Sequence, residues 1–319
     1  MQLFTAIRSR SVASQGEQRL ITAIRGWLGR ASPRSPFGIG DDCAVLPPSR
    51  RSQLVTTDPV IYRQHFDDSV PPRAVGAKLL KRNLSDIAAM GGRPVAAVIS
   101  LALAPGTSLG WLREFYLGLA ASARRYRVKI VGGDLTQGPA GFFGAFLTLQ
   151  GEATARRIVS RNGARTGDGI YVTGMLGGSR RGHHHRFTPR LNEGAWLARR
   201  PEVRAMMDVS DGLAKDLGAL TPAGLAPALN ATAIPISAAA KRQAGLTGKS
   251  ALTHALGDGD DYELLVVVRA RADRWRFERD WQSRFPGVKL SYLGKFVLAD
   301  RVPAGALRLA DYHGYEHLR

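Results

Sequence analysis

Apolar residues between Lys78 and Pro94 recur at helical spacing: Leu79, Leu80, Leu84, Ile87, Ala88 and Met90. That periodicity predicts a helix with one buried face. Gly91-Gly92 ends it, and Pro94 bars continuation. Asn83, Ser85 and Asp86 stand out inside it. Their side chains compete with the backbone for hydrogen bonds, which lowers helix propensity. A carboxylate buried there needs a cation or several donors. Taken alone, the row reads first as a satisfied polar face. The rest of the chain shifts that reading towards a ligand site.

The same patterning lays out the other elements. Leu20, Ile21, Ile24, Trp27 and Leu28 share one face of a helix that begins at Glu17. Residues 54–57 predict a strand ending in Thr56-Thr57-Asp58, and residues 95–103 a buried strand. Residues 109–126 predict a helix carrying Trp111, Leu112, Phe115, Tyr116 and Leu119. A strand at 128–131 runs into Gly132-Gly133-Asp134, and an alternating strand at 142–151 closes the first half. Further strands are predicted at 170–173, 205–208 and 262–268, near 289–297 and near 306–309. Helices are predicted up to Leu220 and over 272–285. Residues 221–250, rich in Ala, Pro and Gly, give no clear pattern. Alternating strands and helices imply an α/β or mixed α+β class. The polar stretch 156–168 divides an N-terminal domain (16–152) from a C-terminal one (153–319). Residues 1–15 are Arg/Ser-rich without an apolar core, and read as a disordered extension rather than a secretory signal. No apolar run approaches membrane-spanning length.

Charge changes this picture in one respect. The formal charge is +19, but the arginines are scattered, as expected of a solvated surface rather than a nucleic-acid footprint. The acids are the informative minority. Asp41, Asp42, Asp58, Asp86, Asp134, Asp208, Asp211, Asp260 and Asp261 stand at glycine turns, strand ends or the unusual helix. Clusters of Asp, Thr and Ser oxygens suit magnesium rather than zinc. The single cysteine, Cys43, excludes an internal disulfide and a cysteine-built zinc site, and its default role is a small buried hydrophobe. A nucleoside triphosphate would be repelled by bare carboxylates, and several metal ions between the two resolve the conflict. The acids are therefore expected to converge on a multi-metal polyphosphate site.

Common nucleotide motifs are missing. Gly248-Lys249-Ser250 imitates the end of a Walker A loop, but Gln243 stands where a glycine is needed. His183-His184-His185 reads as an internal solvated loop, and Tyr116 as a core residue.

The order of motifs resembles the thiamine-monophosphate kinase family. The resemblance rests on Gly38-Ile39-Gly40-Asp41-Asp42, Thr56-Thr57-Asp58, His65-Phe66, the run from Asn83 to Gly91, and Gly132-Gly133-Asp134. It continues in Arg161-Asn162-Gly163-Ala164, Gly167-Asp168, the run from Asp208 to Leu213, Asp261-Tyr262-Glu263-Leu264 and Gly314-Tyr315-Glu316-His317. It implies a two-domain aminoimidazole ribonucleotide synthetase-like fold, with an N-terminal sheet domain that dimerises and a C-terminal α/β domain. It also implies a cytoplasmic, magnesium-dependent transfer of phosphate from ATP to thiamine monophosphate. By resemblance, magnesium ligands fall on Asp42, Thr56, Thr57, Asp58, Asp86, Asp134, Asp208 and Asp211. ATP contacts fall on Tyr116, Gly133, Asp134, Arg161 and Ser210, and thiamine-phosphate contacts on His65, Asp260 and Tyr315. Asp42, Asp58, Asp86, Asp134 and Arg161 carry the catalytic roles. Neither a nucleic acid nor a membrane is an expected partner.

Three departures bear on the substrate side. Asp260 stands where the family usually has Glu, Tyr62-Arg63-Gln64 precedes His65, and the segment after Gly178 is short and basic. Two other readings compete: a different ATP-using enzyme of the superfamily, and a basic binding protein without activity.

Overall fold

The computed structural model describes residues 1–35, 37–40 and 43–316. Two compact units emerge, residues 1–87 with 93–153 and residues 88–92 with 154–319.

The first unit contains α1 (Glu17–Leu28), β1 (Gln53–Ile61), α2 (Pro72–Ala89), β2 (Gly92–Leu103), α3 (Leu109–Tyr126), β3 (Lys129–Gln137) and β4 (Phe143–Ala153). Its four strands lie in the order β1-β4-β2-β3. β1 and β4 are antiparallel, pairing Thr57 with Thr148, whereas β2 and β3 are parallel, pairing Ser100 with Asp134. Strand alternation sends Leu54 and Val60 of β1, with Ala145, Leu147 and Leu149 of β4, into the core. Leu79, Leu80 and Leu84 of α2 and Trp111, Leu112 and Phe115 of α3 are buried with them. α2 and α3 meet backbone to backbone. A Cβ on Gly76 would stand 2.0 Å from the Phe115 carbonyl oxygen, and one on Gly118 2.0 Å from that of Arg73. The opposite face of the sheet leaves Val55, Val98 and Phe146 exposed.

α2 begins six residues before Lys78. Pro72 takes its first position, where a missing N–H costs nothing and φ is preset. Residues 1–15 also differ from the expected extension. Phe4 bridges Thr107, Ser11 bridges Ser108, and Leu3 is buried.

The second unit holds β5 (Gly169–Thr173), α4 (His183–Arg186), α5 (Leu191–Ala198), β6 (Val203–Val209), α6 (Leu213–Leu220), β7 (Leu225–Leu229), α7 (Ala238–Thr247), α8 (Ala251–Gly257), β8 (Glu263–Val268), α9 (Arg274–Arg284) and β9 (Leu290–Leu298). Its sheet runs β6-β8-β5-β9-β7, antiparallel at every pairing. β8 is buried along its whole length, so its residues ELLVVV show no alternation. The strand expected near 306–309 is absent, and that stretch ends in a 3-10 turn, Leu309–Asp311. Gly248 caps α7 and the Ser250 side chain caps α8, which accounts for the Walker-like run as helix punctuation. The three histidines form a helical turn rather than a loop. Cys43 is exposed, not buried, because it lies in a segment without regular structure.

Candidate active site

In the first unit, alternation along β1 turns Thr56 and Asp58 towards α2. Thr56 Oγ1 donates to the Asp86 carboxylate. Arg82, one helical turn before Asp86, donates to Asp58 Oδ1 at 3.3 Å and to the Pro59 carbonyl at 2.7 Å. Asn83 donates to the Leu79 carbonyl at 2.9 Å and the Asp58 carbonyl at 3.4 Å. Arg82, Asn83 and Asp86 are therefore the side chains by which α2 grips β1. Burial, with Arg125 and Lys78 nearby, pulls the Lys81 ammonium down to about 8.

His65 closes a tight turn after β1. Its Nδ1 accepts from the Ile61 N–H at 3.1 Å, and buried Lys78 donates to its carbonyl at 3.0 Å. Within that turn Arg63 takes a φ of +67°. Thr57 points away from Thr56, donating to the Leu147 carbonyl at 3.1 Å. Asp134 is exposed on β3, the far edge of the sheet from β1. Three strand spacings, about 14 Å, separate those edges. Thr56, Asp58 and Asp86 are thus brought together, and Asp134 and Thr57 are not brought to them. Gly133 has a structural duty, since a Cβ there would stand 2.0 Å from the Ile99 carbonyl oxygen. Tyr116 packs between Trp27 and Phe115 with 3% of its surface exposed. Burial pushes its hydroxyl pKa up. Asp41 and Asp42 lie outside the described residues.

In the second unit three separate motifs meet. β6 delivers Asp208, and the chain turns at Ser210-Asp211-Gly212 into α6. The Ser210 carbonyl accepts from the Asp260 N–H at 2.7 Å, and the Asp211 carbonyl accepts from the Tyr315 N–H at 2.9 Å. Tyr262 donates its hydroxyl to Asp260 Oδ1 at 2.5 Å and stacks on Phe187 with centroids 3.9 Å apart. Asp260 and Tyr262 both have φ of +54°. Arg161 is exposed beside β6, next to Ser160, whose carbonyl accepts the Met206 N–H at 3.0 Å.

Asp216 was not among the predicted site residues. Its Oδ2 accepts the Ser210 and Asp211 N–H groups at 2.9 Å each, so it fixes the turn. The legible signal was an acid in the first turn of a helix, facing its own N-terminus. Burial first, then the charge of Asp208, raises its carboxyl pKa to about 8, against the effect of the two N–H donors. Asp261 is raised well above the usual range, chiefly by burial, although Gly177 N–H donates to it at 2.8 Å. Next to it, buried Glu263 accepts from Arg190 Nε at 2.7 Å, Arg190 Nη2 at 2.5 Å and Thr173 Oγ1 at 2.6 Å. Arg190→Met strands that carboxylate, and the expected cost is about 3–5 kcal/mol, read as a lower urea midpoint. An unchanged midpoint would exclude the pair as a support of the site.

Among the described residues, no three His, Cys, Asp or Glu side chains stand close enough to hold a metal by themselves. In the first unit Asp58 and Asp86 lie at the β1–α2 contact and Asp134 on the opposite edge strand, and in the second Asp208, Asp211 and Asp216 lie near one another.

Residues 40–153 match the family described as AIR synthase related protein, N-terminal domain. Over 293 residues the chain is 36% identical to thiamine-monophosphate kinase of Rhodopirellula baltica, covering 88% of this chain and 89% of that one. The chain belongs to the thiamine-monophosphate kinase family. Thiamine-monophosphate kinase from Stenotrophomonas maltophilia superposes with a TM-score of 0.72 at 30% identity, over 88% of this chain and 93% of that one. AaThiL complexed with AMPPCP and TMP superposes with a TM-score of 0.70 at 28% identity, over 96% and 98%. Against these thiamine-monophosphate kinases, the mixed α/β class read from the strand and helix pattern holds.

Proposed function

We propose that this chain transfers the γ-phosphoryl group of ATP to thiamine monophosphate, releasing ADP and thiamine diphosphate. The observation that carries the reading is 36% identity to a thiamine-monophosphate kinase along nearly the whole chain. A solved relative complexed with an ATP analogue and TMP supports the choice of both substrates.

The donor set fits magnesium. The ion takes hard oxygens and is usually held by one or two carboxylates plus substrate phosphates, so a complete protein cage is not needed. Thr56, Asp58 and Asp86 offer such oxygens in the first unit. Of the other family positions, Asp42 lies outside the described residues, Thr57 and Asp134 are not grouped with them, and Asp134 would hold a separate ion. Asp208 and Asp211 offer them in the second unit, where both add negative charge beside the Asp216 carboxyl and Lys215 already lies 2.8 Å from Asp211 Oδ2. When bound, magnesium neutralises the phosphate oxygens and lets two anionic substrates approach.

The chain's own residues supply the remaining functions. The acceptor is a phosphate, ionised at neutral pH, so no strong base is required. Phosphoryl transfer depends on positioning and charge stabilisation rather than a covalent catalyst. Arg161 donates to oxygens of the transferring group. Ser210 and the Gly133 backbone contact ATP, and His65, Asp260 and Tyr315 contact thiamine monophosphate. Tyr262 holds Asp260 in place, which supports the shorter acid in that role. Tyr116 is left out, because its ring belongs to the core.

The enzyme acts as a cytoplasmic homodimer in this reading. Its open sheet face supports that assembly: Val55 is 70% exposed beside Phe146 and Val98. Among the described residues, no helix is long and apolar enough to cross a membrane. A coupled ADP-release assay with magnesium, ATP and thiamine monophosphate tests the function. The expected result is release that depends on all three. Release with another phosphomonoester alone would point to a different activity of the superfamily.

A further inference from the structure

Lys215 has no part in the chemistry described above, yet it joins two of the motifs that meet in the second unit. It sits in the first turn of α6, where the helix dipole disfavours a cation. Three acceptors offset that cost. Its ammonium lies 2.8 Å from Asp211 Oδ2, 2.7 Å from the Tyr315 carbonyl oxygen and 3.4 Å from Glu316 Oε1. An ammonium has three N–H donors, and here it meets three acceptors. Two of them belong to the C-terminal segment.

The backbone follows the same docking. The Tyr315 N–H donates to the Asp211 carbonyl at 2.9 Å. Gly314 permits close contact, since a Cβ there would stand 2.6 Å from the Asp211 carbonyl oxygen and from Lys215 Cβ. A Cβ on Gly257, at the end of α8, would meet the His313 carbonyl oxygen at 2.5 Å. Residues 302–316 contain one 3-10 turn and no strand, so no sheet pairing holds this end of the chain. Lys215 is the cation that ties it to the Ser210-Asp211 turn.

We propose that Lys215 is a positioning residue: it straps the C-terminal segment onto the Ser210-Asp211 turn and thereby sets where Tyr315 meets the phosphorylated acceptor. The strap follows from the contacts alone, while its effect on the acceptor rests on the function proposed above. Lys215 is 33% exposed and Glu316 51%, so the tie acts through its three-fold geometry rather than through deep burial.

Hydrogen exchange and steady-state kinetics on the full chain test this, with Lys215→Ala and Lys215→Arg compared with wild type. Lys215→Ala is expected to lower protection of the Tyr315 amide about tenfold, with β8 amides unchanged as the control for folding. Lys215→Arg keeps the charge and is expected to retain most of the protection. With Lys215→Ala, KM for thiamine monophosphate is expected to rise about fivefold while KM for ATP and kcat stay within about twofold. Unchanged Tyr315 protection in Lys215→Ala would overturn the strap. Lost protection with an unchanged KM for thiamine monophosphate would overturn the positioning role. Wild type that releases no ADP with thiamine monophosphate would count against the proposed function, and the exchange measurement would still decide the strap.

Discussion

Asp86→Asn is expected to cut ADP release with thiamine monophosphate by about a thousandfold, at the upper end of what losing one stabilising group in a polar site costs. Asn has the shape of Asp without its charge. The Thr56 hydroxyl can still donate to the amide oxygen, and the Arg82–Asp58 and Asn83–Leu79 contacts do not involve residue 86. The fold is therefore retained, with a melting midpoint near that of wild type. What is lost is one negative oxygen in the Thr56–Asp58–Asp86 corner, where a magnesium ion would bind. Equal turnover in the two proteins would remove Asp86 from the mechanism.

Gly118→Val is expected to have the largest effect on stability. At Gly118 even a Cβ would stand 2.0 Å from the Arg73 carbonyl oxygen, and no rotamer relieves a clash with backbone. α2 and α3 would have to separate, opening the core that holds Leu79, Leu80, Trp111 and Phe115. Overpacking of this kind costs about 3 kcal/mol or more, which removes much of the stability of an ordinary domain. Gly218→Ala is the control. It lies inside α6 with nothing within 4 Å of its Cβ position. That substitution is expected to be neutral or to stabilise by about 0.5–1 kcal/mol. Urea unfolding distinguishes them, and equal midpoints for Gly118→Val and wild type would refute the close crossing.

α2 shows how far a pattern reaches. Its apolar period is plain in the sequence, and its polar row marks a face with a task. The start at Pro72 was readable too, as a proline at the first helical position, but the weak periodicity before Lys78 hid it. β8 was found because a continuous apolar run of strand length has few alternatives. Residues 306–309 imitate a strand in composition, yet they have no sheet partner, and pairing is not written in a single segment. The first fifteen residues bury Leu3 and bridge Thr107 and Ser108, contacts across about a hundred residues that local composition does not report. The site divides in the same way. Motif order identified the acids. It did not reveal that β1 and β3 form opposite edges of one sheet, so that Asp134 and the β1 residues Thr56 and Asp58 stand on strands separated by two others. It also missed Asp216, whose bond to the preceding turn is local and was legible as an acid in the first turn of a helix, and Lys215, whose role arises only when Tyr315 and Glu316 are folded against that turn.

Transfer of label decides the central claim most directly. ATP carrying a labelled γ-phosphate would be incubated with thiamine monophosphate, magnesium and the full chain, and the products separated and weighed by mass spectrometry. The expected result is label in thiamine diphosphate, in amounts equal to the ADP formed and lost when magnesium is chelated. Label found only in inorganic phosphate, or thiamine monophosphate recovered unchanged while ADP accumulates, would contradict it.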